Sequence, residues 1–245
     1  MRALLPEPAD DVDVHAFYAS DWLDRGGLRV NFVSSVDGAA QADGRSEGLQ
    51  TRGDNRVFAA LRDLADVVVA GAATVTIEGY RAVSLPERRA RLREALGLRP
   101  VLPIAVISRS LRFDPTSRLF SDAPPDARTI VLTSEAAPVE QRTALEKVAD
   151  VVVCGVDRVD LWLARAALED RGLTRILSEG GPAAFTEMAL AGVVDELCLS
   201  MTPLLVGPGP MRITAGDELW DAPMGLQLSG VLEEDDALFL RYRAS

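Results

Sequence analysis

The stretch Ser178-Glu179-Gly180-Gly181-Pro182-Ala183 decides how the rest of the chain is interpreted. It follows the apolar pair Ile176-Leu177 and precedes a helical pattern over residues 185–190, so it predicts a strand, a tight turn and a helix. Adjacent glycines permit a close approach of the backbone. Free N–H groups at a helix start then form an anion site that the helix dipole strengthens. We therefore predict that this turn binds a phosphorylated ligand and presents Glu179 to it, although an ordinary turn explains the stretch equally well when it is taken alone.

Outward from this turn, apolar strands alternate with helices from residue 28 onward. Continuous Val, Ile and Leu runs are typical of parallel strands that are buried on both faces. We predict an α/β fold with a mostly parallel central sheet, helices on both of its faces and an antiparallel C-terminal hairpin. Residues 28–245 are predicted to form one domain, on which residues 1–27 pack as an irregular N-terminal extension with one amphipathic piece. The predicted strands are 28–34, 66–70, 102–108, 129–133, 151–154, 175–177, 194–202, 226–231 and 237–242, and the predicted helices are 54–65, 86–96, 138–148 and 160–171.

Small or polar residues follow four of these strands, namely Gly38, Gly71, Ser108 and Gly180. Ligands of parallel sheets bind beyond the carboxyl ends of the strands. We therefore expect these four residues to lie at one edge of the sheet and to mark a binding site.

Composition excludes several classes of protein. The chain has 245 residues, and its formal net charge of −11 argues against nonspecific binding of nucleic acid. No apolar run approaches the ~20 residues of a membrane helix. The N-terminus breaks at once into prolines and acids, unlike a signal peptide. A cytoplasmic enzyme is the expectation.

Cysteine and histidine usage narrows the chemistry further. Cys154 and Cys198 lie in apolar strand-like runs and are predicted to be core residues rather than a disulfide or metal pair. His15 is the only histidine, which argues against a histidine-based triad or zinc site. We expect no metal, and we expect carboxylates, tyrosines or water to carry any proton chemistry.

Two further strand ends carry candidate residues, each with two interpretations. Asp37, before Gly38, caps a turn or is a carboxylate facing the ligand. Thr74 and Glu78 are four residues apart on one helical face after Gly71. Thr74 is either a capping residue or part of a segment that cradles a diphosphate, and Glu78 is either solvated or an acceptor for a ribose hydroxyl. No GxGxxG motif follows either strand, so the usual Rossmann fingerprint is absent.

Two arginines are weaker candidates. Arg62 has Asp66 four residues later, and periodicity alone favours a surface ion pair of little energetic worth. Arg109 follows a strand end and could reach a phosphate monoester.

These motifs together resemble a known family. In order they are Asn31 with Ser34-Ser35-Val36-Asp37-Gly38, Leu61-Arg62 with Ala65-Asp66, Gly71 with Thr74 and Glu78, Glu179-Gly180-Gly181, and Pro203-Leu204-Leu205-Val206-Gly207. From about residue 28 to the C-terminus the chain resembles the reductase domain of riboflavin biosynthesis. It is most similar to the stand-alone RibD-like, or pyrimidine reductase, proteins of the actinobacterial type.

The resemblance implies a dihydrofolate-reductase-like fold, an NADPH cofactor and a homodimer. It implies reduction of the ribosyl group of 5-amino-6-(5-phosphoribosylamino)uracil to the ribityl form, by hydride transfer to C1′ of the opened ribose imine. The strand 194–201 and the C-terminal hairpin are candidate dimer interfaces, or equally internal elements. Nothing in the chain resembles the H-x-E and C-x-x-C signature of the zinc deaminase domain of bifunctional relatives.

The resemblance also implies roles for single residues. Asp37 and Glu179 are the expected catalytic residues, and Asn31, Ser46, Arg62 and Glu179 are expected to bind substrate. The expected cofactor-binding residues are Ser34, Gly71, Thr74, Glu78, Ser108, Arg109, Gly180, Gly181, Pro182, Ala183, Ala184 and Phe185. Arg109 is placed near the 2′-phosphate of NADPH.

Two positions depart from the family pattern. Bifunctional bacterial members have Lys where this chain has Asn31, whereas archaeal-type reductases have Asn. A substrate-phosphate arginine expected in the loop after Glu78 has no match, since Arg81 comes too early. Two alternatives stay open. One is reduction of dihydrofolate as a main or side activity, which the missing arginine favours. The other is a non-catalytic nucleotide-binding protein, against which the candidate carboxylates argue.

Overall fold

The computed structural model describes residues 1–216, 220 and 222–244. The chain divides into two compact units. The first comprises Met1–Leu64 together with Leu177–Ser245, and the second comprises Ala65–Ile176. Each unit has its own strands, helices and buried apolar residues.

The first unit is built on two parallel strands and an antiparallel extension. Its strands run in the order β1-β9-β10-β8-β2. β2 pairs with β8 in parallel, and β8, β10, β9 and β1 pair antiparallel in succession. Its elements are β1 (Arg2–Leu5), α1 (Val14–Ala19), α2 (Trp22–Arg25), β2 (Gly27–Ser35), α3 (Arg52–Asp63), α9 (Pro182–Leu190), β8 (Glu196–Thr202), β9 (Leu226–Glu234) and β10 (Ala237–Ala244).

The second unit is a parallel α/β arrangement. Its strands run in the order β3-β4-β5-β6, and every neighbouring pair is parallel. The boundary between the units falls within β7 (Arg175–Ser178). The other elements are β3 (Val67–Gly71), α4 (Ala72–Ile77), α5 (Glu87–Ala95), β4 (Ile104–Ile107), α6 (Arg118–Ser121), β5 (Ile130–Thr133), α7 (Val139–Glu146), β6 (Asp150–Val153) and α8 (Leu161–Glu169).

The α/β class, the parallel strands and the antiparallel C-terminal hairpin are confirmed. The boundaries differ for local reasons. The strand predicted over residues 102–108 is only Ile104–Ile107, in keeping with Pro103, which has no N–H to donate to a ladder. The helix predicted from residue 54 begins at Arg52, because the Thr51 hydroxyl accepts a hydrogen bond from the Asp54 N–H at 3.1 Å and caps it.

The N-terminal segment is more regular than predicted. β1 pairs with β9, with Ala3 opposite Leu232. The predicted amphipathic piece is two helices, and the Trp22 indole N–H donates to the Leu64 carbonyl at 3.1 Å. β1 has only four residues and is defined by its pairing with a distant strand, so sequence pattern alone did not reveal it. The assignment of residues 1–27 and 28–245 to an extension and one domain stays a prediction.

Both cysteines are buried and free, as predicted. Burial raises the pKa of Cys154 and of Cys198. Neither thiol is therefore poised to act as a thiolate.

Candidate active site

The loop after β2 is tied to the loop after β8 by the Asp37 carboxylate. The Ser35 hydroxyl donates to one oxygen, and the backbone N–H groups of Val206 and Gly207 donate to the other at 3.0 and 2.8 Å. Two backbone bonds reinforce this tie, from Val36 N to Leu204 O at 3.0 Å and from Ala40 N to Met211 O at 2.7 Å. We call this arrangement the Asp37 clamp.

The clamp fixes the protonation of Asp37. The hydrogen bond from Ser35, and after it the one from the Gly207 N–H, holds the pKa of Asp37 below its ordinary value of 3.8. Asp37 is therefore anionic at neutral pH, and both of its oxygens already accept hydrogen bonds. Sequence analysis left a turn cap and a ligand-facing carboxylate open, and the structure shows a carboxylate that bridges two loops.

Glu179, the residue after β7, is oriented by Arg62 in α3. Arg62 donates from Nε at 2.6 Å and from Nη2 at 2.8 Å, one bond to each carboxylate oxygen. Glu179 is only 8% exposed. The Arg62 guanidinium also lies 4.5 Å from the centre of the Phe58 ring. A buried, bidentate pair of this kind holds the carboxylate in one orientation.

The predicted surface ion pair of Arg62 with Asp66 is replaced by the pair of Arg62 with Glu179. Helix α3 ends at Asp63, so Asp66 lies beyond the helix and has no i+4 geometry. Asp66 instead accepts from Arg175 at 2.9 and 3.1 Å. Arg62 is paired with a carboxylate 117 residues away in the sequence, which no periodicity could reveal.

The double-glycine turn is confirmed as a strand–turn–helix connection. Gly180 has φ 82°, and a Cβ there would come 2.6 Å from Phe32 Cζ, so only glycine fits without displacing that ring. The Gly180–Gly181 peptide bond is cis. Within the described residues no side chain caps α9. The backbone N–H groups in the first turn of this helix therefore have no capping acceptor.

The α9 segment combines backbone donors with core packing. Pro182 is at the first helical position, and Ala183 and Ala184 follow it. Phe185 is buried, and its ring centre lies 5.3 Å from that of Phe32. The predicted ligand-binding residues at this turn therefore range from the buried Gly180, Gly181 and Phe185 to the exposed Ala183.

Three further predicted residues lie on β2 or in the loop that follows it. Asn31 is 8% exposed, and its Oδ1 is buried with no hydrogen-bond partner among the residues that the structure describes. Ser34 is buried, and its carbonyl accepts from the Thr202 hydroxyl at 3.3 Å. Ser46 precedes the short 3-10 turn Glu47–Leu49. A buried acceptor with no partner is costly unless a water or a ligand satisfies it.

The remaining predicted residues belong to the second unit. Gly71 ends β3 and precedes α4, and the Glu78 N–H donates to the Thr74 carbonyl at 2.9 Å at the end of that helix. Ser108 follows β4 and is buried, with its Oγ accepting from Leu111 N at 3.0 Å. Arg109 is exposed. Thr74 lies inside α4 and does not cap it.

Sequence reasoning missed several contributors. Ser35, Val206 and Gly207 stood in motifs that carried the resemblance, but they received no role. Arg212 was not singled out at all, yet its Nη2 lies 3.5 Å from where a Cβ of Gly38 would be. A single arginine in a loop rich in glycine and proline gives no local signal.

Two kinds of feature are absent from the described part of the chain. No group of three or more His, Cys, Asp or Glu residues could hold a metal ion. No helix there has the length and apolar character needed to cross a bilayer.

Comparisons with known proteins agree on one family. The sequence model of the RibD C-terminal domain matches residues 27–235. The 2,5-diamino-6-ribosylamino-4(3H)-pyrimidinone 5′-phosphate reductase of Methanothermobacter thermautotrophicus is 33% identical over 212 residues, covering 84% of this chain and 93% of that protein. The protein of the same name from Archaeoglobus fulgidus is 30% identical over 182 residues, covering 73% and 80%.

Solved structures agree with these relatives. The crystal structure of a pyrimidine reductase-like protein from Corynebacterium diphtheriae matches with a TM-score of 0.84 and 26% identity, covering 96% of this chain and 99% of that chain. The fold implied by the sequence resemblance is thus the fold of this chain.

Proposed function

Because this chain belongs to the RibD C-terminal domain family, we propose that it is an NADPH-dependent reductase of riboflavin biosynthesis. Its substrate is a phosphoribosylamino-pyrimidine, whose ribosyl group it reduces to a ribityl group. The sequence resemblance gives the uracil form, 5-amino-6-(5-phosphoribosylamino)uracil. The archaeal relatives are named for the 2,5-diamino-pyrimidinone form, so that form is the second candidate.

The observation that carries this proposal is the orientation of Glu179. It is a buried carboxylate at the end of a strand, held by two hydrogen bonds from Arg62, and it immediately precedes the double-glycine turn. A fixed carboxylate can accept hydrogen bonds from the amino and N–H groups of a pyrimidine. The Asn31 Oδ1, which is buried without a partner in the described chain, offers a second acceptor.

The start of α9 fits the diphosphate of a dinucleotide. Gly180 lets the backbone of the turn pack against the Phe32 ring, and no side chain of the described residues caps the helix. Backbone N–H groups at a helix start favour phosphate oxygens. We propose that residues 180–185 bind the cofactor. The other predicted cofactor-binding residues stay proposals, namely Ser34 in the first unit and Gly71, Thr74, Glu78, Ser108 and Arg109 in the second.

The cofactor supplies a hydride to C1′ of the substrate imine when it is bound. The protein contributes position and electrostatics. The imine nitrogen must also gain a proton, and Asp37 is a poor source because it is anionic and already accepts three hydrogen bonds. We therefore assign Asp37 to holding the two loops in place rather than to proton delivery.

The test is an assay of reduced-nicotinamide absorbance with purified protein and each candidate pyrimidine, and with dihydrofolate as a comparison substrate. We expect the highest kcat/KM with one of the two phosphoribosylamino-pyrimidines. No oxidation of NADPH above background with either of them would refute the proposal. Tight NADPH binding without turnover on any substrate would instead favour a non-catalytic nucleotide-binding protein.

Cofactor preference has its own test. We propose that NADPH is preferred over NADH and that Arg109 contacts the 2′-phosphate, because an exposed guanidinium is suited to a phosphate. Arg109→Ala should then raise KM for NADPH and leave KM for NADH unchanged. Equal use of both cofactors by wild type and variant would remove this assignment.

Assembly and location are also proposals. We propose a cytoplasmic homodimer that uses β8 or the β9–β10 hairpin as its interface. Exposed leucines on β9, Leu226 and Leu228, are compatible with such a contact. Light scattering on the purified protein tests the dimer, and a monomer at all concentrations would reject it.

A further inference from the structure

Arg212 lies beside the turn that follows β2. The Met211 carbonyl accepts a hydrogen bond from Ala40 N at 2.7 Å, which brings the loop containing Arg212 against the loop after β2. The Arg212 Nη2 and Nε lie 3.5 and 3.9 Å from the position that a Cβ of Gly38 would occupy. Gly38 has φ 86° and no side chain, so the guanidinium can lie directly over the backbone there.

The charge of Arg212 is not neutralised within the described part of the chain. No ion pair or hydrogen bond of its side chain is found there, and the residue is exposed. Arg62 differs, because Glu179 occupies its Nε and Nη2. Asp37 is close in sequence to Gly38, but its oxygens accept from Ser35, Val206 and Gly207.

The position of Arg212 is set by the Asp37 clamp. The clamp and the two backbone bonds attach the loop of residues 203–211 to the loop after β2 at several points. These bonds fix the backbone that carries Arg212, and the planar fork of its guanidinium matches two oxygens of a phosphate.

We propose that Arg212 binds the phosphomonoester of the substrate. This inference rests on the proposed function, since it takes the substrate to be a sugar phosphate. It gives the clamp a purpose, which is to hold a phosphate-binding cation near the carboxyl ends of the parallel strands β2 and β8. The anionic partner is the substrate phosphate and not a phosphate of the cofactor.

The kinetic test compares the phosphorylated substrate with its dephosphorylated counterpart in wild type and in Arg212→Ala. Loss of hydrogen bonds to a charged group predicts a rise in KM for the phosphorylated substrate of about 10- to 100-fold. KM for the dephosphorylated compound and KM for NADPH should not change. Arg212→Lys should recover part of the loss, because it keeps the charge but not the fork.

Two matched variants control for loss of positive charge. Arg88→Ala removes an exposed arginine from α5. Arg45→Ala removes an exposed arginine from the segment between β2 and α3. Both should leave KM for the phosphorylated substrate unchanged. An equal rise in Arg45→Ala, or a rise in Arg212→Ala that is the same with and without the substrate phosphate, would overturn the proposal.

A binding measurement separates this inference from the proposed activity. Ribose 5-phosphate, titrated calorimetrically, should bind wild type and Arg88→Ala alike and bind Arg212→Ala about 10- to 100-fold more weakly. This result supports the inference even if neither pyrimidine is turned over. Equal binding by wild type and Arg212→Ala, or no binding to wild type, would refute it while leaving the reductase assay to decide the function.

Discussion

The two ends of the parallel pair β2 and β8 use the same residue types for opposite purposes. At the amino ends, Arg29 and Glu196 are register partners. Arg29 Nε lies 2.8 Å from Glu196, and Arg241 donates to both Glu196 oxygens at 3.1 and 3.0 Å. At the carboxyl ends, Asp37 accepts from a hydroxyl and two backbone N–H groups, and Arg212 is exposed.

Burial separates the two ends. Glu196 is 0% exposed and Arg29 is 1% exposed, and the Arg29 guanidinium lies 4.0 Å from the centre of the Trp22 ring. Burial raises the pKa of Glu196, but the charge of Arg29 and the hydrogen bonds from Arg241 outweigh it and hold the pKa below its ordinary value. The N-terminal helices thus cover the buried end, whereas the loops after β2 and β8 meet at the end at which we propose that a substrate binds.

The largest expected effect is on stability at the buried end. Glu196→Gln removes the carboxylate that lies 2.8 Å from Arg29 and accepts two hydrogen bonds from Arg241, and it should lower the free energy of unfolding by about 3–5 kcal/mol. Urea unfolding measures this. Glu169→Gln, which removes an exposed i,i+4 pair with Arg165, should cost only about 0.5 kcal/mol. An equal loss of unfolding free energy in the two variants would show that the buried Glu196 pairs stabilise the fold no more than an exposed ion pair does.

The next effect is on activity at the other end. Glu179→Gln should lower kcat/KM about 100-fold, because the amide offers one acceptor in place of a charged carboxylate. Its effect on stability should be smaller than that of Glu196→Gln, since Arg62 is partly exposed. Steady-state kinetics and urea unfolding measure both quantities. Glu187→Gln on the exposed face of α9 is the control, and a similar loss of activity in both variants would contradict the role of Glu179.

Asp37→Asn should have a smaller effect on activity. The asparagine amide has an NH2 group where one carboxylate oxygen accepted a hydrogen bond, so at least one donor of the clamp loses its acceptor. The clamp should therefore loosen, and kcat/KM should fall about 10-fold. The Kd for NADPH should stay unchanged. Asp235→Asn in the hairpin turn controls for the change of charge, because Asp235 is exposed. A loss of NADPH affinity without a loss of turnover would show that the Asp37 clamp supports cofactor binding and not substrate binding.

The smallest effect concerns pH. Asp54 is buried, and burial raises its pKa above the ordinary value of 3.8 against the opposing hydrogen bond from Ser200. The folded state therefore binds this proton more tightly than the unfolded state, and Asp54 lowers stability as pH rises from about 3.8 through the folded pKa. Asp54→Asn should gain stability relative to wild type across that range. Urea unfolding from acid to neutral pH checks this, and a constant difference at every pH would exclude Asp54 as the titrating group.

Most of the fold could be predicted from the sequence, because it rests on local and periodic signals. Apolar runs such as residues 66–70 and 129–133 were correctly identified as strands, and the glycines after Glu179 correctly marked a turn. β1 could not be predicted, since the strand it pairs with, β9, lies more than 200 residues later. The Glu179–Arg62 pair could not be predicted either, because its two residues are 117 apart in the sequence.

The sequence by itself determined the α/β class, the strand–turn–helix at Gly180 and the family that its motifs resemble, because turn chemistry and apolar period are properties of neighbouring residues. Only the tertiary structure decided which charges are paired. Arg62 binds Glu179, Glu196 binds Arg29 and Arg241, and Arg212 lies over Gly38. Pairing depends on distance in space and on burial, and a chain of alternating strands brings together side chains that the sequence separates by more than a hundred residues.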